Sequence, residues 1–471
     1  MNTIHVISNS GIVFGTSGAR GLVKDFTPAV CMAFTHAFVN LLKKESSLTT
    51  VALGIDNRPS SYSMAQACAA ALYESGIEPI FYGVLPTPAL ALVARKNKIP
   101  CIMVTGSHIP FDRNGLKFYK KDGEITKLDE IEITKASVDF NMPATLPKLE
   151  LCSDAEAIYI ERYTSLFNSD LLSGKRIGIY EHSSAGREIY HKIFTALGAE
   201  VIRLARSDEF VPIDTEAVTE EDKSKALQWS KEHHLDAIFS TDGDGDRPML
   251  ADEKGEWLRG DILGLLCSRE LHIEAVAIPV SCNTAVQKSN FFKRVELTRI
   301  GSPYVIDALS KLQSKFVNVA GFEANGGYLL GSNITYNNVT VDSLPTRDAV
   351  LPAVIVIAAA QHRSISELIL DLPERYTHSD RLQNFPQSNS SRILQEALVL
   401  PEVFIRRLGI NGRNIQNVDQ TDGVRLTLDD GSIIHLRPSG NAPELRCYAE
   451  SSSSLHARKL VDQVLGNIKY L

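Results

Sequence analysis

Two short stretches of this chain carry residues suited to covalent catalysis and to metal binding. The first is Thr105-Gly106-Ser107-His108-Ile109-Pro110, followed by Asn114-Gly115-Leu116-Lys117. An apolar run, Ile102–Val104, leads into it, so Ser107 is expected on a loop at the carboxyl end of a strand, where open α/β sheets bind ligands. A serine there becomes a covalent acceptor when a base or a metal activates it, and His108 and Lys117 are both near. A plain polar turn has the same composition. The second stretch is Asp242-Gly243-Asp244-Gly245-Asp246-Arg247 after the apolar segment Ala237–Ser240. Three carboxylates at alternate positions can wrap a hard cation in oxygen, and without one their mutual repulsion is costly. An EF-hand would need glycine where Arg247 stands and a helix where a strand is predicted. A metal-binding loop of another kind is the expectation.

Two further loops offer ligand contacts. In Gly321-Phe322-Glu323-Ala324-Asn325-Gly326-Gly327, Glu323 and Asn325 are two residues apart and share one side of an extended segment. A carboxylate and an amide there suit vicinal sugar hydroxyls, or else a solvated turn. Arg437-Pro438-Ser439-Gly440-Asn441-Ala442-Pro443 combines an arginine fork, neutral donors and a glycine, a set that fits a dianionic phosphate or a hairpin turn. Phe14-Gly15-Thr16-Ser17-Gly18-Ala19-Arg20-Gly21 adds a glycine-rich loop with an arginine. It lacks the lysine of a P-loop and the dinucleotide spacing, which disfavours nucleotide binding.

The elements that must position these loops follow from periodicity. Short apolar runs at Val51–Ile55, Pro79–Gly83 and Ile102–Thr105 alternate with helical segments such as Ser61–Ser75. The alternation recurs at Arg176–Tyr180, Glu200–Leu204 and Ala237–Thr241, and again at Ala275–Val280, Arg294–Arg299 and Phe316–Ala320. This predicts βαβ units and largely parallel sheets. The last hundred residues read differently, with strands at Gly423–Thr427, Ser432–Arg437 and Glu444–Glu450 around a turn at Asp429–Gly431, then a helix from Ser454. Asn141–Lys148 and Leu372–Ser391 are proline-containing and polar and read as linkers. Four domains are expected, at 1–145, 146–253, 254–371 and 372–471, the first three α/β and the last α+β.

Length and composition agree. At 471 residues the chain exceeds one core of ~100–200 residues. The net charge of −7 disfavours a general nucleic-acid binder. No apolar run reaches the ~20 residues needed to span a bilayer, and Ala349–Ala360 reads as a buried helix. The N-terminus shows no basic-then-apolar leader. Seven scattered cysteines without a Cys-x-x-Cys pair suggest reduced thiols in a cytoplasmic protein.

Taken jointly, Gly-Thr-Ser-Gly-x-Arg-Gly, the Ser-His loop with Asn-Gly-x-Lys, Asp-Gly-Asp-Gly-Asp-Arg and Arg-Pro-Ser-Gly resemble the α-D-phosphohexomutase superfamily, in its bacterial phosphomannomutase/phosphoglucomutase form. The likeness spans essentially the whole chain in the family's order. It implies three similar α/β domains with mixed, mostly parallel sheets and a C-terminal α+β domain around a central cleft. It implies interconversion of hexose 6- and 1-phosphates through a phosphoserine and a bisphosphate intermediate. Ser107 would carry the phosphoryl group, and Asp242, Asp244 and Asp246 with a phosphoserine oxygen would hold Mg²⁺. Lys117 would transfer protons, with Arg20, His108 and Arg247 lining the centre. Glu323 and Asn325, with Ser302 and Tyr304 of a further loop, would contact the sugar, and Arg437, Ser439, Gly440 and Asn441 the distal phosphate. A hexose 1,6-bisphosphate would act as activator, and a monomer or small homo-oligomer is expected.

The chain departs from the pattern twice. Gly106 and Ile109 stand where Ala and Asn are common around the serine. The sugar loop ends in Asn325-Gly326-Gly327 instead of Ser-Gly-His. Mannose phosphates are the expected substrates, the glucose or glucosamine phosphates the alternatives. A sugar-phosphate-binding protein without catalysis is a different class of reading, against which Ser107, Lys117 and the three aspartates argue.

Overall fold

The computed structural model describes residues 1–15, 18–45, 47–336, 338–439 and 443–471. Among them, four main sheets follow one another along the chain. The first is built on Thr50–Ile55, flanked in parallel by Glu78–Val84 and Cys101–Val104. Arg113–Lys120 then pairs antiparallel with Cys101–Val104, and Ala19–Leu22 pairs antiparallel with Arg113–Lys120. That hairpin return brings Lys117 opposite Met103 and places both motifs of the first loop at one sheet edge.

The second sheet centres on Arg176–His182, with Glu200–Arg206 and Ala237–Thr241 parallel to it and Pro248–Ala251 antiparallel at the edge. The acidic loop is the turn between Ala237–Thr241 and Pro248–Ala251. In the third, Ala275–Pro279 lies between the parallel Arg294–Thr298 and Val319–Phe322, and Tyr328–Leu330 and Leu344–Asp348 extend it antiparallel. Each of these sheets therefore has a parallel centre with antiparallel additions, and the antiparallel turns are where the polar loops sit.

The fourth sheet is wholly antiparallel: Tyr376–Leu382, Leu445–Ser451, Ile433–Pro438, Val424–Leu428 and Ile415–Asp419 in spatial order. Here the structure corrects the reading of Leu372–Ser391 as a linker. Tyr376–Leu382 is an edge strand bonded to Leu445–Ser451 in continuous register. Its composition is polar because an edge strand half open to solvent needs few apolar side chains. Asn141–Lys148, in contrast, carries no helix or strand. The strand expected at Phe316–Ala320 begins at Val319, because Phe316 N–H still bonds back to Leu312 O at 3.0 Å, closing the preceding helix.

One continuous apolar core joins the first three sheets, running from Leu90 and Met103 through Ile177 and Phe239 to Ile278 and Leu351. The helix Val350–Ala359 lies within it and is apolar nearly all round, as a helix buried on every side must be. The fourth sheet has its own core around Ile393, Leu436 and Val461. All seven cysteines are unpaired. Among the described residues no helix is long and apolar enough to cross a membrane.

Candidate active site

Ser107 is fully buried and takes a left-handed backbone conformation, φ 54°. That conformation costs a non-glycine residue on the order of 1–2 kcal/mol and persists only where neighbours over-determine it. Its N–H donates to Thr105 Oγ1 at 2.8 Å, and Thr105 Oγ1 donates in turn to Asp56 Oδ2 at 2.7 Å. Arg58 supplies the rest. Its guanidinium donates to the carbonyls of Ser107 (2.8 Å), Ile109 (2.5 Å), Pro110 (2.8 Å) and Arg113 (3.0 Å), while Nε bonds Asp56 Oδ2 at 3.1 Å. Both side chains of this ion pair are inaccessible to water. The departure at Gly106 has its reason here, since a Cβ on residue 106 would lie 2.5 Å from Arg58 Cζ.

The serine loop and the acidic loop meet directly. Ser107 Oγ donates to Asp242 Oδ2 at 2.7 Å. Lys117 Nζ, buried, bridges Asp244 Oδ2 at 2.5 Å and Asp246 Oδ2 at 2.8 Å. Thr87, opening the helix Thr87–Asn97, bonds Asp244 twice, through its hydroxyl to Oδ2 (2.6 Å) and its N–H to the carbonyl (2.8 Å). One oxygen from each of Asp242, Asp244 and Asp246 lies within 4.8 Å of the others. Asp244 Oδ1 and Asp246 Oδ1 are buried acceptors without a hydrogen-bond partner. Oxygen ligands, like charge and unspent lone pairs fit a hard divalent cation. Burial and the two neighbouring carboxylates push Asp242 well above the usual carboxyl range, whereas Asp244, although buried, is held low by Lys117 and Thr87.

Besides Lys117, Arg247, Arg20 and Arg347 bring positive charge to this loop. Arg247 Nη1 donates to His108 Nδ1 at 2.9 Å, which leaves that nitrogen an acceptor. Burial, then Arg247 and Arg20, lower the His108 pKa well below its ordinary value, so the ring is neutral. Its Nδ1 is 3.5 Å from Ser107 Oγ, and the serine hydroxyl is directed at Asp242 instead. Arg20 donates to Gly106 O at 3.1 Å, and burial beside Arg247 lowers its pKa to about 10. Arg347 Nη2 lies 2.8 Å from Asp246 Oδ2.

Of the outer loops, the one carrying Glu323 reaches this centre through Arg347, which also meets Asp246. Glu323 and Asn325 are buried, and Asn325 O accepts from Thr215 Oγ1 at 2.7 Å. Ser302 is buried and donates its hydroxyl to Glu124 Oε2 at 2.8 Å, while Tyr304 is half-buried under Arg299. Arg437 Nε donates to Asp422 Oδ2 at 3.0 Å, and Ser439 N–H bonds Glu444 O at 2.8 Å. Gly440 and Asn441 lie outside the described residues.

Arg58, Thr87, Glu124 and Arg347 were not singled out from the sequence. Arg58 could have been, because Asp56-Asn57-Arg58 follows the apolar strand Thr50–Ile55 just as the other polar loops follow theirs. Arg347 is a charged residue directly ahead of an all-apolar helix, a weaker sign.

Four family descriptions match in chain order: phosphoglucomutase/phosphomannomutase alpha/beta/alpha domain I at residues 11–139, domain II at 157–255, domain III at 259–376 and the C-terminal domain at 389–466. A phosphomannomutase of Salmonella muenchen is 59% identical over 468 residues, covering 99% of this chain and 98% of its own. One of Sinorhizobium fredii is 40% identical over 467 residues, covering 97% and 98%. Among solved structures, a phosphoglucomutase/phosphomannomutase family protein from Burkholderia thailandensis superposes with a TM-score of 0.75 at 19% identity, covering 98% of each chain.

Proposed function

This chain belongs to the phosphoglucomutase/phosphomannomutase family and is a phosphohexomutase of the phosphomannomutase type; from that premise we propose that it interconverts mannose 6-phosphate and mannose 1-phosphate, with Ser107 as the phosphoryl carrier. The observation that carries the reading is the Ser107 hydroxyl donating at 2.7 Å to an aspartate of a buried three-carboxylate loop.

The residues divide the work as follows. The Ser107 O–P bond breaks as the free hydroxyl of a hexose monophosphate bonds to phosphorus, giving a bisphosphate. That hydroxyl's proton leaves to Lys117 Nζ in its amine form, and the contacts of Nζ with Asp244 and Asp246 hold the ammonium that results. After the intermediate reorients, the other phosphoryl group returns to Ser107. Arg20 and Arg247 stabilise charge on the moving group. Asp242, Asp244 and Asp246 would hold Mg²⁺, which supplies further neutralisation of the transferring phosphoryl oxygens. Glu323 and Asn325 grip the sugar hydroxyls, and Arg437 and Ser439 hold whichever phosphate is not reacting. A hexose 1,6-bisphosphate restores the phosphoserine when it is lost. A cytoplasmic setting suits seven unpaired cysteines.

Preference for mannose over glucose phosphates is at most ten- to a hundredfold, about what a single hydroxyl contact allows. Intact-mass measurement after incubation with mannose 1,6-bisphosphate tests the carrier, and steady-state rates on mannose, glucose and glucosamine 1-phosphates test the substrate. One added phosphate that Ser107→Ala abolishes is the expected result. Full turnover by Ser107→Ala, or a glucosamine 1-phosphate rate well above the other two, would overturn the respective half.

A further inference from the structure

The sugar loop has no side chain at Gly327, and the space is occupied from another strand. A Cβ built on Gly327 would meet Arg347 Cδ at 2.4 Å, Cγ at 2.7 Å and Cβ at 3.2 Å. The Arg347 stem therefore crosses over the loop, and it can do so only because residue 327 is glycine. The guanidinium, 3% exposed, emerges between the two loops that matter. Nη1 donates to Glu323 Oε2 at 3.4 Å, and Nη2 is 2.8 Å from Asp246 Oδ2.

These contacts do not use up the donors. Nε and Nη2 are buried without a hydrogen-bond partner, the approach of Nη2 to Asp246 being an ion pair at poor angle. Buried guanidinium donors are normally satisfied, so these two call for an acceptor that the protein itself does not supply. The guanidinium is cationic, as arginine side chains in proteins are.

We propose that Arg347 is a substrate-gripping residue that forms one sugar clamp with Glu323, donating to a ring hydroxyl of the hexose next to the one whose proton Glu323 accepts. This rests on the mutase reading above. The clamp joins a charged acceptor to a charged donor on a vicinal diol, so it reads hydroxyl positions and not the phosphate. Being tied to Asp246, it also fixes the sugar ring relative to the acidic loop.

Calorimetric titration with mannose 1-phosphate and its 2-, 3- and 4-deoxy analogues separates the possibilities, with circular dichroism and melting to confirm folding. Arg347→Ala is expected to weaken the parent sugar by about ten- to a hundredfold, the scale of a lost charged contact. One deoxy analogue, weak for the wild type, should lose little further affinity in the variant. Arg347→Lys should recover only part of the loss, since an ammonium lacks the planar fork. Gly327→Ala should weaken binding in the wild type and add little in the Arg347→Ala background, where the obstructing stem is gone. Equal losses on the parent and all three analogues would overturn the hydroxyl assignment in favour of a phosphate contact. Unchanged affinity in a folded Arg347→Ala would overturn the proposal alone, whereas a wild type that binds none of these sugar phosphates would overturn the mutase reading with it.

Discussion

Ser107 and Asp242 stand 135 positions apart on two different sheets, and the hydroxyl of one is hydrogen-bonded to the carboxylate of the other at 2.7 Å. Nothing between them in sequence makes that contact; it exists because both loops leave the carboxyl ends of strands that share one core. The proposed phosphoryl carrier is therefore held against the loop that would carry a cation.

Removal of divalent metal should stop turnover while leaving the fold. Asp244→Asn should weaken Mg²⁺ and lower kcat steeply, because it removes a negative ligand and half of the Lys117 clamp. Calcium should bind yet support little activity, since its looser coordination does not impose octahedral geometry. Activity titrated against metal after chelation measures both, and full activity in excess chelator would end the metal assignment.

Arg58→Lys should keep most of the protein folded and lower kcat by roughly a hundredfold, because a lysine cannot reach four carbonyls at once and the serine loop loses its register. Arg58→Ala should cost about 3–5 kcal/mol of stability, the scale for stranding one member of a buried pair, here Asp56. Denaturant unfolding of both variants beside their rates checks the two effects separately.

Arg437→Ala should impair the reaction in both directions, from the 1-phosphate and from the 6-phosphate, since the proposed clamp would serve both orientations. About 2–4 kcal/mol in kcat/KM is expected for a lost charged partner. Damage to a single direction would contradict a shared clamp.

Acid should destabilise the fold through buried histidines. His435 and His182 are held neutral by burial, each with a pKa lowered to about 4. In the unfolded chain a histidine titrates near ~6.5, so below that pH the unfolded state binds more protons and stability falls as pH drops toward 4. At pH 5 each contributes a loss of about 2 kcal/mol. Unfolding free energies at pH 7.5 and 5 should show this slope, and His435→Gln should reduce the difference by about 2 kcal/mol.

The sequence determined the local chemistry. Alternating apolar runs specified parallel strand centres, and Asp242-Gly243-Asp244-Gly245-Asp246 made a cation loop the expectation because three carboxylates two residues apart are otherwise repulsive. The tertiary structure alone decided the partnerships. Polar side chains obey no periodicity, so that Arg58 would hold the serine loop, that Lys117 would bridge two aspartates from another sheet, and that Arg347 would cross Gly327 had no local signature. The antiparallel strands Arg113–Lys120 and Leu344–Asp348 carry two of these groups to the centre, and their register comes from sheet pairing across the chain, not from the residues beside them. The half-open strand Tyr376–Leu382 was hidden for the same reason: what makes it a strand is the backbone of Leu445–Ser451, some seventy residues later.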